Sequence, residues 1–181
     1  LEALQRELEW RLGNESSPRA IKTLFLGGGT PTFLSLPQVD RLVNLLRQYF
    51  VWEERDSTSE WSVEANPNDL TKSVVAHWSA HGVTRFSLGV QSFRAEKLAL
   101  LERTHRAIDI QQACEFVLER GRQLSLDLIF AVGDETAAQW EADLQAALSC
   151  QASHLSTYQL TYEKGTPFWS RLQRGVLHEA E

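Results

Sequence analysis

The sequence has no methionine, two cysteines and five prolines among its 181 residues. Cys114 and Cys150 stand far apart in helix-like surroundings, which argues against the disulfide framework of a small secreted domain. Both read instead as small buried hydrophobes. Basic charge is short: 18 Lys and Arg face 24 Asp and Glu, for a net charge of −6. The clustered cationic footprint on which nucleic-acid binding leans is therefore missing. No stretch approaches the roughly 20 apolar residues that span a bilayer, and no basic region runs into an apolar one at the start. A cytoplasmic protein without a transmembrane segment is expected. The lack of methionine, with Leu1 opening inside the amphipathic run Leu1, Leu4, Leu8 and Leu12, suggests a section of a longer chain.

Several catalytic signatures are absent too. There is no Gly-Lys-Ser/Thr of a phosphate loop, no spaced Gly-x-Gly-x-x-Gly, no Gly-x-Ser-x-Gly elbow and no His-Glu-x-x-His. His77 and His81 stand one helical turn apart, but zinc wants a third and fourth ligand and the helix offers none. No metal ligands are assigned.

What is present is an ordinary globular composition, 43% hydrophobic and 23% charged. Helical and strand-like periods alternate from end to end. Helices are expected over 1–13, 36–50, 71–81, 107–120 and 136–149, and strands over 21–26, 60–65, 84–90, 123–130 and 153–159. Ser35 with Gln38, and Thr136 with Gln139, have the spacing of capping boxes. Leu36, Val39, Leu42, Val43, Leu46 and Phe50 form one apolar stripe, so that helix buries a face against a sheet.

The strands carry polar residues on the off-beat: Ser62, Glu64 and Asn66, then Arg85, Ser87, Gly89 and Gln91, then Ser125 and Asp127. If helices cover the apolar face, the polar face looks into an enclosed, ligand-holding or hydrated space. The expected class is α/β, a partial (βα) TIM-like barrel of parallel strands with outer helices and its site at the C-terminal strand ends. An open doubly wound sheet is the alternative, since periodicity does not establish closure. Helix-length connections argue against a one-sided antiparallel sheet.

Four strand ends carry chemistry. Thr23-Leu24-Phe25-Leu26 runs into Gly27-Gly28-Gly29-Thr30-Pro31, a loop whose backbone a ligand could touch, although a sharp turn needs the same residues. Glu64 faces inward, where it could bind a ligand hydroxyl or ammonium, or pair with Arg85. Gln91 offers a donor and an acceptor, and Arg103 offers a fork for a carboxylate or a helix cap. Asp127 could hold a ribose hydroxyl, or Arg85 again.

Taken in order, Leu26–Thr32, Val63–Pro67, Arg85–Phe93, Leu126–Phe130 and Ser156–Thr161 resemble the oxygen-independent coproporphyrinogen III oxidase family of radical S-adenosylmethionine (SAM) proteins, from about residue 20 to 175. The resemblance implies that Gly28, Gly29 and Thr30 contact the methionine part of SAM. It carries SAM-side roles to Glu64, Gln91, Arg103 and Asp127, and places Tyr158 near a further contact. Arg103-Thr104-His105 and Leu160–Pro167 are similar to the heme-chaperone branch, HemW, which implies heme or porphyrin as cargo and a heme-acceptor protein as partner. The oxidase, which decarboxylates coproporphyrinogen III with a 5′-deoxyadenosyl radical, is the alternative.

Two departures stand out. The family's Cys-x-x-x-Cys-x-x-Cys loop, which holds a [4Fe–4S] cluster, is absent, and Cys114 and Cys150 cannot replace three thiolates on one loop. The usual Gly-Leu-Pro-x-Gln-Thr reads Ala131-Val132-Gly133-Asp134-Glu135-Thr136. Residues 1–181 are accordingly expected to be one barrel section, with the first strand, its cluster loop and a C-terminal domain lying outside it. No catalytic residue is assigned, and the section by itself is expected to be inactive.

Overall fold

A computed structural model describes residues 1–52 and 59–178. In chain order the elements are α1 (Glu2–Leu12), β1 (Arg19–Ile21), β2 (Thr23–Leu26), α2 (Leu36–Tyr49), β3 (Phe50–Trp52), β4 (Glu60–Ala65) and α3 (Lys72–Ala80). They continue with β5 (Arg85–Gln91), α4 (Ala95–Leu100), α5 (Ala107–Glu119), β6 (Gln123–Phe130), α6 (Ala137–Ser149), β7 (His154–Gln159) and α7 (Pro167–Gln173).

Five strands form one parallel sheet in the order β2-β4-β5-β6-β7. The order never reverses, so the sheet has no switch point and winds in one direction, as a curled half-barrel rather than a doubly wound sheet. Each βα connection returns the chain to the same end, which collects every strand's C-terminus on one rim.

The apolar half of each alternating strand packs under the helices. Val63, Phe86, Leu88, Val90, Leu124, Leu126 and Leu128 are fully buried, against Val39 and Val43 of α2, Val75 and Trp78 of α3, and Ile110 and Val117 of α5. Each such side chain contributes about 1.5–3 kcal/mol by leaving water, so this layer drives the fold. The two capping boxes are present: Gln38 Oε1 accepts from the Ser35 N–H (2.9 Å), and Gln139 Oε1 from that of Thr136 (3.0 Å).

Three features depart from the sequence reading. The strand expected over 21–26 is two strands divided at Lys22, and β1 pairs in parallel with β3 apart from the main sheet. Phe50, expected as the last residue of a helix, begins β3, where Phe-Val-Trp favours extended backbone. Two further helices, α4 and α7, were not expected. α7 starts where the Thr166 hydroxyl accepts from the Trp169 N–H (3.2 Å) with Pro167 in its first turn.

Candidate functional site

One cavity, about 320 Å³, lies on the helical side of the sheet, between β1–β3 and α2 and under Trp52 and Trp61, and its lining is mostly apolar. A second cavity, about 200 Å³, lies at the C-terminal strand ends and is polar. Gly29 and Thr30 come to it from the loop after β2, Glu64 and Asn66 from the end of β4, and Ser87 and Gln91 from β5. Arg103 enters from the segment after α4, Asp127 from β6 and Tyr158 from β7. Seven residues singled out in the sequence thus line one space. Gly28 does not line it; its amide acts from behind.

The triple glycine is required for two different reasons. A Cβ on Gly27 would stand 2.4 Å from the Phe25 ring and 2.9 Å from Glu64 Oε1, so the loop and the carboxylate approach more closely than any side chain permits. Gly28 and Gly29 have open space around a Cβ but φ of 82° and 93°, a left-handed backbone that glycine takes without strain. The Gly28 N–H donates to Glu64 Oε2 at 2.9 Å, which fixes the carboxylate at the mouth of the cavity.

Arg85 is a partner to neither carboxylate to which the sequence could have assigned it. Its Nη1 sits 3.1 Å from Glu60 Oε2. The register Ser62↔Arg85 puts Arg85 diagonally between Glu60 and Glu64, and Glu64 already accepts from the loop amide. Asp127 accepts from Ser87 Oγ at 3.1 Å to both of its oxygens. Burial raises the Asp127 pKa above the usual carboxylate range; hydrogen bonds from Ser87 and Ser156 pull the other way, and Glu64 adds to the rise. The Tyr158 phenol is pushed up to about 12, first by burial and then by the Asp127 charge, against the opposing charge of Arg103. Arg103 itself is exposed; its backbone N–H closes α4 on the Leu98 carbonyl (2.9 Å) while its side chain turns to the cavity.

Gln91 is the most constrained member. It has φ of 64°, is nearly buried, and is the centre of a three-residue turn in which the Ser92 N–H donates to the Val90 carbonyl at 2.8 Å. Such turns are rare and strained. Around it the pairing with β6 shifts, Leu88 facing Leu126 and Gln91 facing Leu128, which is a bulge that re-aims the side chain. Gln91 Oε1 is buried with no hydrogen-bond partner among the described residues, and Asn66 Oδ1 is in the same state. An unsatisfied buried carbonyl costs about 1–3 kcal/mol, so both oxygens call for donors from a ligand or water.

Sequence reasoning noted Ser87 and Asn66 as inward-facing and gave neither a role. It passed over the support beneath Gln91 altogether. His105 Nε2–H donates to the Val90 carbonyl (2.9 Å), and burial lowers the His105 pKa. Asp143 accepts from Ser92 Oγ (2.7 Å), the Phe93 N–H (2.8 Å) and Lys97 Nζ (3.1 Å), while Lys97 also reaches Glu135 (2.6 Å). Asp143 falls on the buried side of α6, a position that alternation in the strands does not reveal.

The half-barrel, of the βα-barrel class, thus presents at its strand ends a polar cavity that gathers backbone amides, two carboxylates, a guanidinium and an unpaired amide. Residues 10–147 match the model of the radical SAM superfamily, and the chain belongs to that superfamily. Its relatives include the heme chaperone HemW of Bacillus subtilis, 36% identical over 179 residues covering 98% of this chain and 46% of that protein. HemW of Escherichia coli is 36% identical over 154 residues, 84% of this chain and 40% of that protein. Among solved structures, the E. coli coproporphyrinogen III oxidase HemN, a radical SAM enzyme, is similar with a TM-score of 0.80 at 29% identity, over 90% of this chain and 37% of that one. The chain thus spans less than half the length of these relatives.

Membership in the superfamily implies SAM and a [4Fe–4S] cluster. The cavity fits SAM on its own chemistry, because it offers unpaired buried oxygens, carboxylates and an arginine to a ligand rich in N–H, O–H and carboxylate groups. The two thiols do not fit the cluster. Cys114 is buried on α5, Cys150 follows α6 and donates its thiol to the Ala146 carbonyl (3.5 Å), and neither lines the cavity.

Proposed function

We propose that the strand-end cavity is the SAM-binding side of a HemW-like heme chaperone, with residues 1–181 forming one barrel section of the whole protein. The observation that carries the reading is the convergence of Gly29, Thr30, Glu64, Gln91, Arg103, Asp127 and Tyr158 on one polar cavity, with Glu64 fixed by the Gly28 amide. In this assignment the Gly28–Thr30 backbone and Glu64 bind the methionine part of SAM, with Arg103 on its carboxylate. Gln91 Oε1 accepts from a ligand N–H or O–H, and Asp127, below Tyr158, accepts from ribose. A raised Asp127 pKa suits that role: a hydroxyl donor would stabilise the charged form, as the Ser87 hydroxyl already does.

When bound together, cluster and SAM supply one-electron chemistry, and the chain's own residues bind and orient SAM. The open outer edge of β2 suits a further strand, on whose loop we place the cluster cysteines. Heme as cargo and a heme-acceptor protein as partner are supported by relatives named heme chaperones that align with up to 98% of this chain. A cytoplasmic setting goes with this reading; no helix among the described residues is long and apolar enough to cross a membrane. The second reading, an oxygen-independent coproporphyrinogen III oxidase, is favoured by the likeness to HemN.

The test uses the whole protein. SAM binding by calorimetry should weaken at least tenfold in Glu64→Ala and in Arg103→Ala, and unchanged affinity in both would remove the site assignment. Heme transfer to an apo-acceptor without decarboxylation of coproporphyrinogen III supports the chaperone, and decarboxylation supports the oxidase.

A further inference from the structure

On the opposite, helical side of the sheet, α2 and α3 bring together three groups that none of the SAM-side roles uses. His77 on α3 and His81, the residue that caps its C-terminus, are one turn apart and face α2, with ring centroids 4.9 Å apart at 79°. Asp40 on α2 points its Oδ1 between them, 2.7 Å from His81 Nε2 and 2.8 Å from His77 Nε2. The three ligand atoms all lie within 4.8 Å of one another.

This arrangement is poorly explained as hydrogen bonding alone. His81 makes a well-formed bond to Asp40. His77 Nε2, although 2.8 Å from the same oxygen, is buried and has no aligned hydrogen bond. Two imidazole nitrogens and a carboxylate oxygen that converge on one point, one of them without hydrogen-bond alignment, match a shared third body better than a proton.

We propose that Asp40, His77 and His81 bind a divalent transition-metal ion, zinc by the chemistry of the donors, as a three-ligand site that clamps α2 to α3. Imidazole nitrogen and carboxylate oxygen are ordinary zinc donors, at about 2.0–2.2 Å from the ion. A tetrahedral ion with such bonds holds its ligand atoms roughly 3.3 Å apart, so Asp40 Oδ1 must draw back from each imidazole by about half an ångström. Asp40, about half exposed, has the freedom to move that far. The fourth position is left to water. Two ligands on one helix and the third on its neighbour make the ion a cross-link between sequence-distant elements. His81 also borders the apolar cavity under Trp52 and Trp61, so the clamp closes one side of that cavity.

The experiment titrates Zn²⁺ into the whole protein, metal-stripped by a mild chelator, against a chromophoric zinc indicator. Wild type, Asp40→Asn, His77→Gln, His81→Gln and the double histidine variant are compared, with SAM binding as the check that each is folded. One equivalent of zinc should bind to wild type and be missing from the double variant, with each single substitution weakening it at least tenfold. Zinc should raise the melting temperature of wild type and leave the double variant unchanged. The proposal is overturned if wild type and the double variant take up zinc equally, or if wild type takes up none at micromolar zinc while still binding SAM. Should the double variant fail the SAM check, Asp40→Asn decides alone, and zinc affinity equal to wild type there is the overturning result.

Discussion

The loop after β2 makes a sharp prediction, because adjacent glycines should fail in different ways. In Gly27→Ala the new methyl would lie 2.4 Å from the Phe25 ring and 2.9 Å from Glu64 Oε1. Phe25 is 61% exposed and can swing outward, whereas Glu64 is held by the Gly28 amide. Relief therefore comes by moving the carboxylate, at the cost of a hydrogen bond to a charged group, worth about 1.5–3 kcal/mol. If SAM uses Glu64 where it now stands, its affinity should fall roughly tenfold to a hundredfold. Gly28→Ala meets no neighbour, and its cost is the left-handed backbone, about 1–2 kcal/mol, appearing chiefly as lost folding stability. Calorimetry with SAM and urea denaturation on the same pair of variants separate the two. Wild-type SAM affinity in a folded Gly27→Ala protein would refute the claim that loop and carboxylate act as one unit.

Three further outcomes follow from burial. Burial raises the Asp127 pKa, so the folded state holds its proton more tightly than the unfolded chain. Asp127 therefore opposes folding at neutral pH and less so as pH falls through its folded value. Asp127→Asn should raise the urea midpoint at pH 7, with the gain shrinking toward pH 4, while SAM affinity drops. Lys97→Met should destabilise by about 3–5 kcal/mol in urea unfolding, because it strands Asp143 and Glu135 as buried carboxylates without their shared ammonium. Cys114 is almost fully buried, whereas Cys150 is partly exposed, with its thiol donating to the Ala146 carbonyl at 3.5 Å. Iodoacetamide near pH 8 should therefore label Cys150 first by mass spectrometry, and faster labelling of Cys114 would contradict its burial on α5.

What could be read from the chain alone follows the range of the interactions involved. The alternation of Glu64, Ser87 and Asp127 against buried Val63, Phe86 and Leu126 fixes which face looks inward, since a strand's period is local. The partner of Arg85 was not legible because it depends on register: Glu60 and Glu64 share a face, and only the loop amide at Gly28 decides between them. The two histidines of α3 were visible as an i,i+4 pair, whereas Asp40 joins them only when α2 packs beside α3. β1 and β3 are three residues each, too short for any periodic signal, and exist through pairing with each other.

The buried ion cluster at Asp143 is best understood through the strain it opposes. Gln91 and Ala131, at the ends of the neighbouring strands β5 and β6, both take left-handed backbone at φ of 64° and 60°. Neither is glycine, and each conformation costs about 1–3 kcal/mol. Left alone, the turn at Gln91 would relax and carry its amide out of the cavity. Val90 cannot follow, because its carbonyl accepts from both Ser92 and His105. Ser92 and Phe93 cannot follow either, because Asp143 accepts from both. Lys97 pairs with both Asp143 and Glu135 where water hardly reaches them, Arg94 adds a second cation 3.4 Å from Glu135, and Glu135 belongs to the segment just beyond Ala131. One ammonium therefore ties the loop after β5 to the loop after β6, each of which follows a non-glycine residue at positive φ. The departure from the family pattern at 131–136 falls within this same segment, so its sequence is answerable to the Lys97 contact as well as to the ligand. The buried charges around Lys97 thus act as structural supports for Gln91, and weakening them should loosen SAM binding before the fold is lost.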